Sequence, residues 1–157
     1  LAWLKDEERR TGEMDGVREL IERSRRREVR IMTSALTLVE VLSSKIPVGF
    51  HTLFANLLKR INRVSMDIKV AGIAHDLRDY YLSRPIEFGN KTLSTPDAIH
   101  LGTAILYRAD EFHTFDEHGS NKNLGLLPLS GDVAGNGLIV CKPVALRPQL
   151  DLRRPKS

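Results

Sequence analysis

At 157 residues the chain is long enough for one domain with a real core and too short for two ordinary ones. Its composition, 41% hydrophobic and 28% charged, is that of a soluble globular protein, and no apolar run approaches the roughly 20 residues that span a bilayer. The lone Cys141 excludes an internal disulfide and a paired-cysteine zinc framework and suits a reducing cytoplasm, while a net charge of +4 lends weak support to an anionic partner such as nucleic acid.

The chain opens Leu1-Ala2-Trp3-Leu4, without methionine and already inside an apolar element, so a preceding segment is expected. Lys5-Asp6-Glu7-Glu8 interrupts too early for a secretory signal. From there, segments of helical period alternate with short β-branched runs, the pattern of an α/β domain with parallel strands. The periodicity predicts helices near 1–9, 14–27, 35–45, 51–61, 69–82 and 96–110, and strands at 29–33, 64–68, 112–115 and 138–142. Residues 131–137, with three glycines, read as a turn-rich loop. The domain is expected to span 1–146, followed by a loose basic tail at 147–157 that carries Arg153 and Arg154.

Three acids stand out along this frame. Glu40 is surrounded by Ala35, Leu36, Leu38, Val39, Val41 and Leu42, and a carboxylate that pointed inward there would have to be paired, neutralised or metal-bound. Asp97 follows Thr95 and Pro96 at a predicted helix start, where Thr95 as N-cap and an acid in the first turn are ordinary helix chemistry. Asp116 closes the run Phe112-His113-Thr114-Phe115 and by itself reads as a turn residue. Each acid alone is explained structurally. Together they carry more weight: the helix from 96 and the strand after it run in opposite senses, so Asp97 and Asp116 meet at one end. The strand at 29–33 delivers Glu40 to the same end, where α/β sheets place their ligands.

Thr37-Leu38-Val39-Glu40-Val41-Leu42, then Ser94-Thr95-Pro96-Asp97-Ala98-Ile99-His100-Leu101-Gly102-Thr103-Ala104, then Phe112-His113-Thr114-Phe115-Asp116 resemble the carrying segments of a PIN domain. Leu1 to Lys5 resemble that family's first helix and Ala71 to Tyr81 its mid-chain helix. In size the chain is similar to the small VapC-type toxins, the metal-dependent endoribonucleases of toxin–antitoxin pairs. The resemblance implies a single PIN-like domain with a central, mostly parallel sheet flanked by helices. It matches Glu40, Asp97 and Asp116 to three of the family's four acidic positions, and Thr114 to a supporting hydroxyl position. The fourth acid ends the family's first strand, which is expected to precede Leu1.

That implied chemistry is consistent with the residue types. Mg²⁺ or Mn²⁺ is a hard cation that takes oxygen ligands and keeps several waters, so few carboxylates suffice. Such an ion lowers the pKa of a bound water that attacks the scissile phosphorus, with Asp97, Asp116 and Glu40 as metal ligands or orienters. The expected substrate is single-stranded RNA, and the expected partners are a cognate antitoxin and a second copy of the chain. The apolar segment 51–61, with Leu53, Phe54, Leu57, Leu58 and Ile61, is a candidate contact face. Arg23, Arg25, Arg26, Arg27 and Arg30 form the densest basic cluster, read equally well as a solvated helix end.

His51, His75, His100, His113 and His118 form neither an HExxH pattern nor a cysteine-paired motif, so zinc is not expected. No glycine-rich phosphate loop is present. Two other classes compete with the nuclease. One is a catalytically silent PIN-like module that binds RNA or protein. The other, weaker, is a phospho-acceptor domain, which needs a mid-chain aspartate at a strand end; the sequence offers only Met66-Asp67, read as inside a strand.

Overall fold

The structure, a computed structural model, describes residues 13–41 and 51–145. The predicted helix at 1–9, residues 42–45 of that at 35–45 and the basic tail lie outside those residues. Two helices organise the described core. One, α4 (Ile68–Leu82), buries Val70, Ala74, Leu77 and Tyr81, a stripe at helical spacing, against α5 (Thr95–Leu106), which buries Ala98, Leu101, Gly102, Thr103 and Ala104. Gly102 permits the close crossing: a Cβ there would stand 3.2 Å from the Ala74 nitrogen and 3.3 Å from the Val70 carbonyl oxygen.

Before this pair in the chain come α1 (Glu13–Arg25), β1 (Met32–Ser34), α2 (Leu36–Glu40), α3 (His51–Leu58) and β2 (Asn62–Val64); after it come β3 (Glu111–His113) and β4 (Ile139–Cys141). β1 and β2 run parallel with Met32 opposite Asn62, and β3 and β4 run parallel with Glu111 opposite Ile139 and His113 opposite Cys141. Among the described residues the strands form these two parallel pairs, as expected for an α/β domain. α5 contacts β1 and α2, so its N-terminal turn is carried to the neighbourhood of Glu40. Val140 and Phe112 pack into the same core as Leu101.

Several predicted boundaries move, each for a local reason. The strand predicted at 64–68 ends at Val64, because the Asp67 carboxylate accepts hydrogen bonds from the amides of Lys69 and Val70 and caps α4. Asp67 is therefore a helix cap rather than a strand residue. α5 starts one residue early, with Ser94 as N-cap in place of Thr95, and stops at Leu106 instead of 110. Its end is a Schellman motif: Arg108 takes a left-handed φ of 52° while the Ala109 amide reaches the Ala104 carbonyl and the Arg108 amide the Ile105 carbonyl. α1 ends in the same way at Arg27, with φ of 63°. An arginine stands where glycine usually signals such an end, so the sequence concealed both stops. The strand expected at 29–33 begins only at Met32, following the left-handed turn that ends α1.

Candidate metal and nuclease site

Asp97 is the best-defined member of the site. Ser94 caps the helix and ties down Asp97: the Asp97 amide donates to the Ser94 hydroxyl at 3.2 Å, and that hydroxyl donates in turn to the Asp97 carboxylate. Half of the structural explanation for Asp97 therefore holds. The electrostatics supply the other half. Burial pushes the Asp97 pKa upward, and the negative charges of Asp116 and Glu40 push it further, against the lowering effects of the Ser94 hydroxyl and His100. A cap needs no second and third carboxylate in electrostatic reach.

Glu40 comes from the last residue of α2, and its Oε2 lies 2.9 Å from His100 Nε2 on α5. His100 thus reaches across to Glu40 on a different helix. The apolar setting of Glu40 proves to be open rather than buried: α2 has no buried residue, and Val39 is 69% exposed.

Asp116 sits three residues beyond β3. The Thr114 amide prolongs the β3–β4 ladder by donating to the Cys141 carbonyl at 3.0 Å, and the Thr114 hydroxyl accepts the Asp116 amide at 3.1 Å. The Asp116 carboxylate accepts the Gly119 amide at 2.9 Å, and its carbonyl accepts the amides of Leu126 and Leu127. Gly119 has φ of 63°, and a Cβ on it would lie 2.3 Å from the Asn123 carbonyl oxygen, so the turn that holds Asp116 closes only around glycine. Thr114 touches backbone, which makes it a positioning group.

Glu40, Asp97 and Asp116 therefore come from three elements and share one electrostatic neighbourhood, while their oxygens do not all gather within 4.8 Å of one another. As a donor type, carboxylate oxygens suit a hard divalent cation, which retains several of its waters.

The basic residues are placed less favourably. Arg23, Arg25 and Arg26 at the end of α1 pair with Glu28, Glu22 and Glu19, so most of that cluster is internally compensated. Arg78 donates to the Leu93 carbonyl, and Arg84 donates to the Tyr80 carbonyl while stacking on its ring. Sequence reasoning missed two contacts at the acidic end: the Ser94 cap, visible in the S-x-x-D spacing, and the His100–Glu40 bond, which joins residues 60 apart and leaves no local pattern.

No helix among the described residues is long and apolar enough to cross a membrane. Comparison with curated proteins and with solved structures returned no match. A family model described as PIN domain matches residues 1–122, more than three-quarters of the chain. PIN domains are generally metal-dependent nucleases that typically bind a divalent metal. With parallel strands, flanking helices and a family match over most of its length, this chain belongs to the PIN domain family.

Proposed function

We propose that the chain is a Mg²⁺- or Mn²⁺-dependent endoribonuclease that hydrolyses phosphodiester bonds of single-stranded RNA, with Asp97, Asp116 and Glu40 as metal ligands. What supports the reading is the PIN-family match together with the placement of three acids, Glu40 against His100 on α5, Asp97 in the first turn of α5 and Asp116 after β3, with Asp116 and Glu40 in electrostatic reach of Asp97. The bound cation supplies an acidified water and charge neutralisation on the phosphate oxygens.

The chain's own groups prepare that chemistry. Ser94 fixes the Asp97 rotamer by hydrogen bond, so one carboxylate is preorganised at the start of α5. The Gly119 amide and the Thr114 hydroxyl hold the Asp116 segment, the first through the carboxylate and the second through the backbone. His100 holds Glu40, leaving its second oxygen available to a ligand or to the attacking water. Such outer partners fix where the carboxylates point.

The toxin role, the antitoxin and the homodimer extend this reading. Leu38 and Val39, exposed on α2 beside Glu40, offer an apolar surface next to the acids on which an antitoxin segment or a second copy would pack. The side chains of Leu53, Phe54 and Leu57, the earlier candidate face, lie outside the described residues. Light scattering at micromolar concentration is expected to give a dimer; a monomer contradicts that part.

The test of the activity is cleavage of a labelled single-stranded RNA by the full chain, with added Mg²⁺ or Mn²⁺ and with excess chelator. Internal cleavage that stops with chelator is the expected result. Chelator-resistant cleavage removes the metal from the mechanism, and RNA binding without cleavage at any metal concentration supports the silent-module reading instead.

A further inference from the structure

We propose that Glu111, His113 and Cys141 form a second cation site, independent of the acidic one, that takes a thiophilic divalent ion such as Zn²⁺ on the outward face of the β3–β4 pair. Glu111 and His113 are two apart on one strand and so project to one face, and parallel register sets Cys141 directly opposite His113. The alternate residues, Phe112 and Val140, point into the core. The three polar side chains are thereby sorted onto the same outer face by the pleat itself.

Their spacing suits a small coordination shell. One ligand atom from each residue falls within 4.8 Å of the other two, and Cys141 Sγ lies 3.6 Å from His113 Nδ1; Glu111 Oε2 lies 3.0 Å from the opposite ring nitrogen, Nε2, a contact that Glu111 would give up to join an ion bound at Nδ1. Zinc bonds of about 2.3 Å to sulfur and about 2.0 Å to nitrogen, at a tetrahedral angle, separate those two atoms by roughly 3.5 Å. Three protein ligands leave a fourth position for water, the open form of a zinc site. The donor set also separates the two sites chemically, since sulfur and imidazole favour zinc whereas the all-oxygen acids favour Mg²⁺ or Mn²⁺.

Burial and the Glu111 charge hold the Cys141 thiol above its ordinary pKa, so binding would release its proton. The ion would tie together two strands of three residues each and reinforce the ladder that leads to Thr114 and Asp116. No sequence motif announces the site, because Cys141 stands 28 residues beyond His113 and only strand pairing unites them.

Co²⁺ as a spectroscopic stand-in tests the proposal on the full chain. One equivalent is expected to produce a thiolate-to-cobalt charge-transfer band that Zn²⁺ abolishes. Because Cys141 is the only cysteine, that band reports on it alone. His113→Ala and the surface change Glu111→Gln are each expected to weaken Co²⁺ binding by about tenfold or more. Asp97→Asn with Asp116→Asn is expected to leave the band intact, which keeps this result separable from the fate of the nuclease reading. Absence of the band at equimolar Co²⁺, or unchanged affinity in both His113→Ala and Glu111→Gln, overturns the site.

Discussion

The end of α1 and the beginning of α5 both concentrate charge, yet they resolve it in opposite ways. At α1, Arg18 pairs with Asp15, Arg25 with Glu22, and Arg26 with Glu28 at 2.7 Å and Glu19 at 3.6 Å, all at the surface. At α5, Asp97 meets Asp116 and Glu40, charges of its own sign, with His100 as a modest counterweight. Charge that cancels within a helix needs nothing further and contributes little. Like charges kept together at a cost mark a candidate functional site.

Substitutions can break that contrast, and the largest effect is expected at the acids. Asp97→Asn or Asp116→Asn should lower kcat/KM for RNA cleavage by about a thousandfold, matching the several kcal/mol a cation supplies to phosphoryl chemistry. Steady-state cleavage assays measure this, and losses under about tenfold would move the reaction elsewhere. His100→Ala, which frees Glu40, is expected to cost about 10- to 100-fold in metal affinity. A Mg²⁺ titration of the cleavage rate reads it as a rise in the half-saturating concentration.

Stability should move the other way. The fold holds the Asp97 pKa above its unfolded value, so the stability this group contributes is fully present below the ordinary carboxylate pKa and is lost as pH rises through the folded one. At neutral pH in chelator, Asp97→Asn is therefore expected to raise the melting temperature by a few degrees, the opposite of its effect on cleavage in Mg²⁺. Tyr81 sharpens the same point in the core. Its buried hydroxyl has no partner at ordinary hydrogen-bond geometry among the described residues, the Ala134 backbone giving it a weak hydrogen bond that lowers the pKa, and burial outweighs this and pushes the pKa up to about 12. Tyr81→Phe should stabilise by about 1 kcal/mol. It should also remove the stability loss expected of the native chain as pH rises from about 10 towards 12 in alkaline melts. The smallest effect belongs to α1: Arg25→Ala should change stability by about 0.5 kcal/mol or less in urea unfolding and leave cleavage unchanged.

The sequence revealed what depends on local period and on order along the chain. The buried stripe of α4 and the parallel sense of the strands were legible as spacing, whereas the start of α5 was read one residue late, with Thr95 in place of Ser94 as its cap. Helix ends were not, because Arg27 and Arg108 adopt the left-handed conformation that glycine usually advertises. Asp67 misled because a strand end and a helix cap look alike when both follow an apolar run, and only its bonds to Lys69 and Val70 distinguish them. At the site, topology led the sequence reading to expect Glu40, Asp97 and Asp116 at one end of the sheet, and in the structure Asp116 and Glu40 lie within electrostatic reach of Asp97. Contacts between distant segments, His100 with Glu40 and His113 with Cys141, depend on packing and register that no single stretch encodes.

The central claim is that these three acids hold a hard divalent ion, and Mn²⁺ binding followed by electron paramagnetic resonance tests it most directly. Titrating the full chain should deplete the free-ion signal in the wild type, and that depletion should vanish when Asp97→Asn and Asp116→Asn are combined. Equal depletion in both proteins, or none in the wild type, would contradict it.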